Sequence, residues 1–185
     1  DELDPVYFPH SGAIAFMLDM PDGQTVATTL IGRAGALASF SALGPSLSSV
    51  TAVARVAGTA SQISAARFRA AYARSEAIRN VVQVHVRALL LQLQHVAACN
   101  ALHLVDGRMA RWLLQLHDRV PNDLLPVTQE ALAQVLGVRR TTATLTMSKL
   151  RAAGAVPSDR RGFVEIDRVR LERVACDCYA LMQDK

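Results

Sequence analysis

Three hydrophobic rhythms follow one another along the chain. From Val6 to about Ser64, short β-type runs (Ala13 to Leu18, Thr25 to Ile31, Ser49 to Val56) alternate with Gly-, Ser- and Thr-rich text. Asp22-Gly23 lies between the first two runs, a hairpin signal because Gly tolerates the positive φ of tight turns. This region reads as part of an antiparallel roll or sandwich. From Ser75 to His103 there is neither Gly nor Pro, and Val82, Val86, Leu89, Leu93, Val96 and Asn100 recur at alternating spacings of 4 and 3. That heptad seam predicts a helix of about 28 residues, roughly 42 Å long. Val81, Leu90, Leu91, Ala97 and Ala98 add more apolar surface than one seam needs. One face is therefore expected to lie on its own domain, while the seam meets the same helix of a second copy in a parallel homodimer.

Asp106-Gly107 reads as the break after this helix, and a compact helical module follows. Met109, Trp112, Leu113 and Leu116 recur at helical spacing, and Pro121 and Pro126 bound a loop. Thr128 is an N-cap candidate for a helix that runs to Leu136 and stops at Gly137. A second helix spans Arg139 to Ala153 and is ended by Gly154. Short β text at Ala155-Val156, a polar turn from Ser158 to Gly162 and a second β run, Phe163 to Ile166, predict a hairpin. A last amphipathic helix covers Val169 to Met182. The expected divisions are 1–74 for the roll, 75–104 for the long helix and 105–185 for the C-terminal module.

Val127 to Leu145 has the layout of a helix-turn-helix. Ala131 and Ala133 let the two helices approach, Gly137 takes the strained turn position and Val138 plugs the turn. Leu132, Val135, Ala143 and Leu150 supply the shared interior. The second helix opens with Arg139, Arg140, Thr141 and Thr142, long donors beside small hydroxyls. Arg can donate bidentately to guanine O6 and N7, and Thr can meet a phosphate, a base edge or a thymine methyl. The following hairpin, with Arg160 and Arg161 at its tip, has the place of a wing.

Charge sharpens this picture. The whole chain carries only +4, and residues 1–100 hold seven Arg against six acids. Between Leu136 and Gly162 there are six cations (Arg139, Arg140, Lys149, Arg151, Arg160, Arg161) and one acid, Asp159. A local basic patch on one element is the electrostatic footprint of a polyanion binder. Composition excludes other classes: 51% apolar and 19% charged residues describe an ordinary globular chain, with no uninterrupted apolar run of membrane-spanning length. No Gly-rich phosphate loop, nucleophile elbow or paired acid cluster points to an enzyme. Three cysteines (Cys99, Cys176, Cys178) with no Cys-x-x-Cys favour a reducing, cytoplasmic setting.

With these motifs in order, the chain resembles the Crp/Fnr family of bacterial transcription regulators along essentially its whole length. Thr128 to Leu150 and the hinge text Leu104 to Ala110 carry the likeness most specifically. The resemblance implies an α+β architecture: a partial cyclic-nucleotide-binding-like β-roll, a long dimerisation helix and a C-terminal winged helix-turn-helix. Because the sequence begins at Asp1 and enters strand-like text at once, the start of the roll is expected to lie upstream. The family implies a homodimer on a two-fold-related site in double-stranded DNA, with RNA polymerase as a candidate further partner and no membrane.

Departures matter. Arg140 matches the first Arg of the family's frequent Arg-Glu-x-x-x-Arg recognition pattern, but Thr141 and Leu145 stand where Glu and the second Arg would be. Arg140 is the expected base reader, with Thr141, Thr142 and Thr144 beside it. Thr128, Gln129, Arg139 and Ser148 suit phosphates, and Arg160 and Arg161 suit the flanking backbone. In the sensor half, Gly35-Ala36 and Ser48-Ser49 replace the Gly-Glu and Arg-Ser of cyclic-nucleotide binders. The carboxylate for ribose and the guanidinium for the phosphate are both missing, so neither cAMP nor cGMP is expected, and the effector is unassigned. His95, Cys99 and His103 fall at i, i+4, i+8 but drift across the helix surface, and Cys176 and Cys178 are expected on two faces of the last helix; no metal and no cofactor is expected. The competing reading is a ligand-independent, architectural DNA-binding module whose roll is only structural.

Overall fold

The computed structural model describes residues 5–44 and 49–183. Its N-terminal part is built on a hairpin, β2 (Ala13–Asp19) and β3 (Thr25–Ile31), antiparallel with Ile14 opposite Ile31 and Asp19 opposite Thr25. The turn closes where Asp22-Gly23 predicts it, with Met20 N–H donating to Gln24 O at 2.8 Å. β4 (Thr51–Val56) pairs with the other edge of β2, while β1 (Val6–Pro9) pairs with β5 (Ala60–Ile63) in a separate two-stranded ribbon. A helix unforeseen in the sequence, α1 (Ala65–Arg74), follows. Its Ala- and Arg-rich text offers only Ala65 and Phe68 to the interior, too little for a visible period. The Ser64 hydroxyl caps it by accepting from Arg67 N–H.

The long helix is α2 (Glu76–Leu102), begun by the Ser75 hydroxyl, which accepts from Ile78 N–H. Its burial divides the expected dimer seam. Val82, Leu89 and Val96 are 5%, 4% and 9% exposed, buried against their own chain. Val82 packs with Val6, Ala42 and Phe68, and Leu89 with Ile31 and Leu37. Val86 is half-buried beside Val82, and of the six only Leu93 and Asn100 are exposed. The outward stripe is its neighbour, offset by one and two residues in turn: Val81, Val84, Leu91 and Leu102 are exposed, with Ala88, His95 and Ala98 completing the same alternation of 3 and 4. Two adjacent stripes share one period, and only the roll determines which is covered.

The break falls at His103–Leu104, not at Asp106-Gly107, because α3 (Val105–His117) already contains both residues. Gly107 is there for space: a Cβ on it would lie 3.2 Å from the backbone N of Cys176. α3 is buried on nearly every side, with Met109, Ala110, Leu113, Leu114 and Leu116 all at 0% exposure. After β6 (Leu124–Leu125) come α4 (Gln129–Leu136), α5 (Arg140–Ala152), β7 (Ser158–Arg160) and β8 (Phe163–Glu165), the three strands forming a sheet in the order β6-β8-β7. Ala155-Val156 is a buried connection and not a strand; β7 begins at Ser158, inside the stretch read as a turn.

The expected last helix is two, α6 (Arg168–Val174) and α7 (Cys178–Leu181). The interruption swings Cys176 and Cys178 together with Cys99 and His103, where a continuous helix would have parted them. The C-terminal turn is tied down by Arg168, which donates to Asp118 at 2.8 Å, to His117 Nδ1 at 2.8 Å and to the Tyr179 hydroxyl at 2.6 Å. Burial pushes the Tyr179 phenol above its ordinary pKa, so it stays an O–H donor to Asp118.

One core joins the N-terminal hairpin to the C-terminal module. Ala13, Ala15, Met17, Ala27 and Leu30 of the hairpin share it with α3, α4 and α5. Leu113→Ala, which opens a cavity in this shared interior, is expected to cost about 2–5 kcal/mol in urea denaturation. A loss below about 1 kcal/mol would contradict the packing described.

Candidate nucleic-acid interface

The helix-turn-helix forms as its residues dictate. The Thr128 hydroxyl accepts from Ala131 N–H at 3.1 Å, starting α4. Gly137 ends α4 at φ +63, a left-handed value that costs a side-chain-bearing residue and leaves Gly unstrained. Val138 N–H then returns to Ala133 O at 3.0 Å, which turns the chain into α5 within two residues. Leu132, Val135, Ala143 and Leu150 are all buried between the helices, joined by Met147.

What this interior leaves outside is the candidate surface. Thr128, Arg139, Arg140, Thr141, Thr144 and Ser148 are exposed, and Thr142 and Gln129 are half-buried. Arg160 and Arg161 are exposed at the hairpin tip, where Arg161 (φ +54) and Gly162 (φ +82) make the reversal. A Cβ on Gly162 would lie 3.6 Å from Thr128 Cγ2, so the tip stands beside the start of α4.

A polar network holds these parts in register. Asp159 of β7 accepts from Gln129 Nε2 at 2.5 Å and from Arg151 at 3.2 Å. Gln129 Oε1 accepts from the Thr144 hydroxyl at 2.9 Å, and Arg151 also donates to Ser148 Oγ at 3.0 Å. The Asp159 side chain is only 9% exposed, so its charge is well shielded from water and held by two donors. Arg151 and Asp159 enter the sequence reading only as charge in the patch, not as parts of the site. Arg140, Thr144, Ser148 and Arg151 follow one another at 4, 4 and 3 residues, and that stripe was the signal available in the sequence.

The basic patch divides accordingly. Lys149 is paired with Asp106 of α3 at 2.8 Å and Arg151 with Asp159. Among the described residues, Arg139, Arg140, Arg160 and Arg161 form no ion pair, so the unneutralised charge is concentrated at the start of α5 and the wing tip.

In the N-terminal part, Ala36 is buried and Gly35 N–H closes a tight turn onto Gly32 O at 3.0 Å. Ser48 lies outside the described residues. A cavity of about 460 Å³ opens between this turn, α2 and the C-terminal end, lined by Gly32, Gly35, His85, His95 and Arg119 among others. Its described lining has no carboxylate, and Arg119 is engaged with Gln115 O and Leu30 O. Burial holds the His85 imidazole below its ordinary pKa, against a weaker upward pull from a backbone hydrogen bond with Ala36. Among the described residues, no helix is long and apolar enough to cross a membrane.

Residues 107–174 match the Crp-like helix-turn-helix domain. The whole chain is similar in structure to a CRP-family transcriptional regulator of Thermus thermophilus, TTHB099, with TM-score 0.78, 19% identity, and 95% of this chain and 89% of that one covered. FixK2 of Bradyrhizobium japonicum gives TM-score 0.78 at 16% identity over the same shares, 95% and 89%. The c-di-GMP-responsive global regulator CLP of Xanthomonas campestris gives TM-score 0.69 at 22% identity over 90% of this chain and 86% of that one. No curated relative matches the sequence. At these identities the structural likeness establishes the fold, and the expected α+β arrangement is the one observed.

Asp159→Ala removes a shielded acceptor that Gln129 and Arg151 share. It is expected to cost about 1–3 kcal/mol of stability and to speed amide exchange in the wing more than in α3. Unchanged wing exchange would mean that the network does not hold the hairpin.

Proposed function

With a Crp-like helix-turn-helix domain at residues 107–174, carried on the fold of the Crp/Fnr regulators, we propose that this chain is a homodimeric, sequence-specific DNA-binding transcription regulator. The observation that carries the reading is the set of four exposed guanidiniums of Arg139, Arg140, Arg160 and Arg161, without an ion pair among the described residues and gathered at the start of α5 and at the wing. α5 enters the major groove by its N-terminal turn. There Arg140 reads a guanine edge, Thr141 and Thr144 flank it, and Thr142 sits at the rim. Arg139, Thr128 and Ser148 meet phosphates. Gln129 has one Nε2 hydrogen left after binding Asp159, enough for one phosphate oxygen. Arg160 and Arg161 reach the flanking backbone from the wing.

Dimerisation uses the outward stripe of α2, continued by exposed Leu93 and Asn100 of the seam first read. A row of large apolar side chains in solvent is costly on a 27-residue helix unless a second helix covers it. A parallel pair then presents two α5 helices to a two-fold-related site. The signal is something other than cAMP or cGMP, because the described cavity has no carboxylate for a ribose and its guanidinium is already engaged. The protein acts in the cytoplasm, where RNA polymerase is its further partner at the promoter.

Selection from random duplexes by the full chain should return a two-fold-related site bound by two chains. Recovery of sites without symmetry or sequence preference would support the architectural reading instead. On the selected site, Arg140→Ala is expected to weaken binding by about 1–3 kcal/mol and relax one position of each half-site. Arg161→Ala should weaken all sequences alike and reduce the salt slope by about 1. If Arg140→Ala left affinity and preference unchanged, Arg140 would not be the base reader. The double substitution Val84→Glu with Leu91→Glu should give a monomer in analytical ultracentrifugation; a persistent dimer would exclude this stripe as the interface.

A further inference from the structure

All three cysteines of the chain and one of its five histidines meet at one place outside the nucleic-acid surface. Cys99 and His103 lie one turn apart at the C-terminal end of α2, with His103 N–H bonded to Cys99 O at 3.1 Å. Cys176 comes from the segment that interrupts the last helix, and Cys178 opens α7. Cys176 N–H is fixed on Gly107 O at 3.3 Å, and the missing side chain of Gly107 gives Cys176 its room. Cys99 and Cys178 are buried and Cys176 is half-buried.

We infer that Cys99, His103, Cys176 and Cys178 form a Cys3His site for zinc that fastens the end of α2 to the end of the C-terminal module. The inference is independent of the DNA-binding reading.

Geometry supports it first. Cys99 Sγ lies 3.5 Å from Cys176 Sγ, and Cys178 Sγ lies 3.4 Å from His103 Nδ1. All four ligand atoms fall within 4.8 Å of one another. A zinc tetrahedron with Zn–S bonds of about 2.3 Å has edges of about 3.8 Å, so inward shifts of about 1 Å or less complete it. Four protein ligands close the shell and leave no position for a substrate, the mark of a structural or regulatory metal.

Electrostatics supports it independently. Arg111 is only 4% exposed, and it donates to Gln115 Oε1 and the Met182 sulfur, neither of them an anion. Arg108 donates to Leu136 O, and the Nε atoms of both guanidiniums are buried without a hydrogen-bond partner. Among the described residues neither forms an ion pair, and both lie in Coulombic reach of the Cys99 sulfur. A buried cation such as Arg111 without a counter-charge is costly, and half-buried Arg108 adds to the cost. Zinc bound by three thiolates and a neutral imidazole carries a net charge of about −1, which supplies the missing anion. On binding, the three thiols release their protons to solvent, four metal–ligand bonds form, and nothing is oxidised or reduced.

The test is cobalt substitution in the full chain, kept reduced. The site should take up about one Co²⁺ per chain, with thiolate-to-cobalt charge-transfer absorption and the strong visible bands of a tetrahedral ion, all abolished by added zinc. Cys176→Ser at a half-buried position and Cys178→Ser at a buried one should each remove the charge-transfer pattern. Each should also weaken zinc binding, measured by chelator competition, by more than about a hundredfold, the upper range of a lost supporting partner. Zinc should raise the Tm of the unaltered chain and leave that of Cys176→Ser unmoved. The proposal is overturned by absence of cobalt uptake, by a weak octahedral spectrum, or by bands that survive both substitutions. It is equally overturned if the reduced chain ignores cobalt and mild oxidation gives only a Cys99–Cys176 disulfide.

Discussion

α3 has almost no outer surface, and that constraint organises the molecule. Met109, Leu113 and Leu116 share one interior with residues of α4, α5, β2 and β3, and α6 and α7 also pack against α3. A 13-residue helix buried this way cannot shift without reopening contacts with every neighbour. Asp106, near its start, holds Lys149 and Thr146 of α5, while Asp118, just past its end, holds Arg168 and Tyr179. The recognition helix and the C-terminal turn are therefore both referred to one rod, and so is the place where Arg140 meets solvent.

The C-terminal module was legible because its rules are local. An N-cap hydroxyl at Thr128, a left-handed Gly137 and small residues between the helices act over a few positions, and all are found as read. The long helix was legible in extent, but not which of its seam residues its own chain would bury. Its two apolar stripes lie one to two residues apart and share the 3-4 period, so the pattern could not tell which one the roll covers. The divided last helix was hidden for a related reason. Nothing local forbids a helix through Ala175 to Asp177; the chain leaves it to bring Cys176 against Gly107, a partner 69 positions away.

The polar network of the wing follows the same logic at the site. Arg151 and Asp159 read as an ordinary cation and the lone acid of a basic patch. In place, that acid pins Gln129 and Arg151, orienting α4, α5 and β7 together, while Arg139, Arg140, Arg160 and Arg161 form no ion pair among the described residues. A patch with no acid would carry more charge and less shape. Removing Asp159 would therefore raise the net positive charge while loosening the surface that displays it.

The hairpin of the N-terminal part bears on the same module from the opposite side. Val26 of β3 sits over Gly137, where an added Cβ would come within 3.3 Å of its methyl, and Arg55 of β4 donates to Gln134 of α4 at 3.4 Å. Gly137 is thus constrained twice, by its left-handed turn and by the strand above it. Ile14 and Phe16 of the same hairpin pack on Ile31, Leu37 and Leu89, beside the cavity at α2. The β2–β3 ribbon of the three-stranded sheet therefore touches both the long helix and the helix-turn-helix turn. Because close-packed interiors transmit displacement and do not absorb it, a change at the cavity that moves β3 has to be met either at Gly137 or by separation of the two halves. The fold needs no long relay between them: the ribbon is itself the connection.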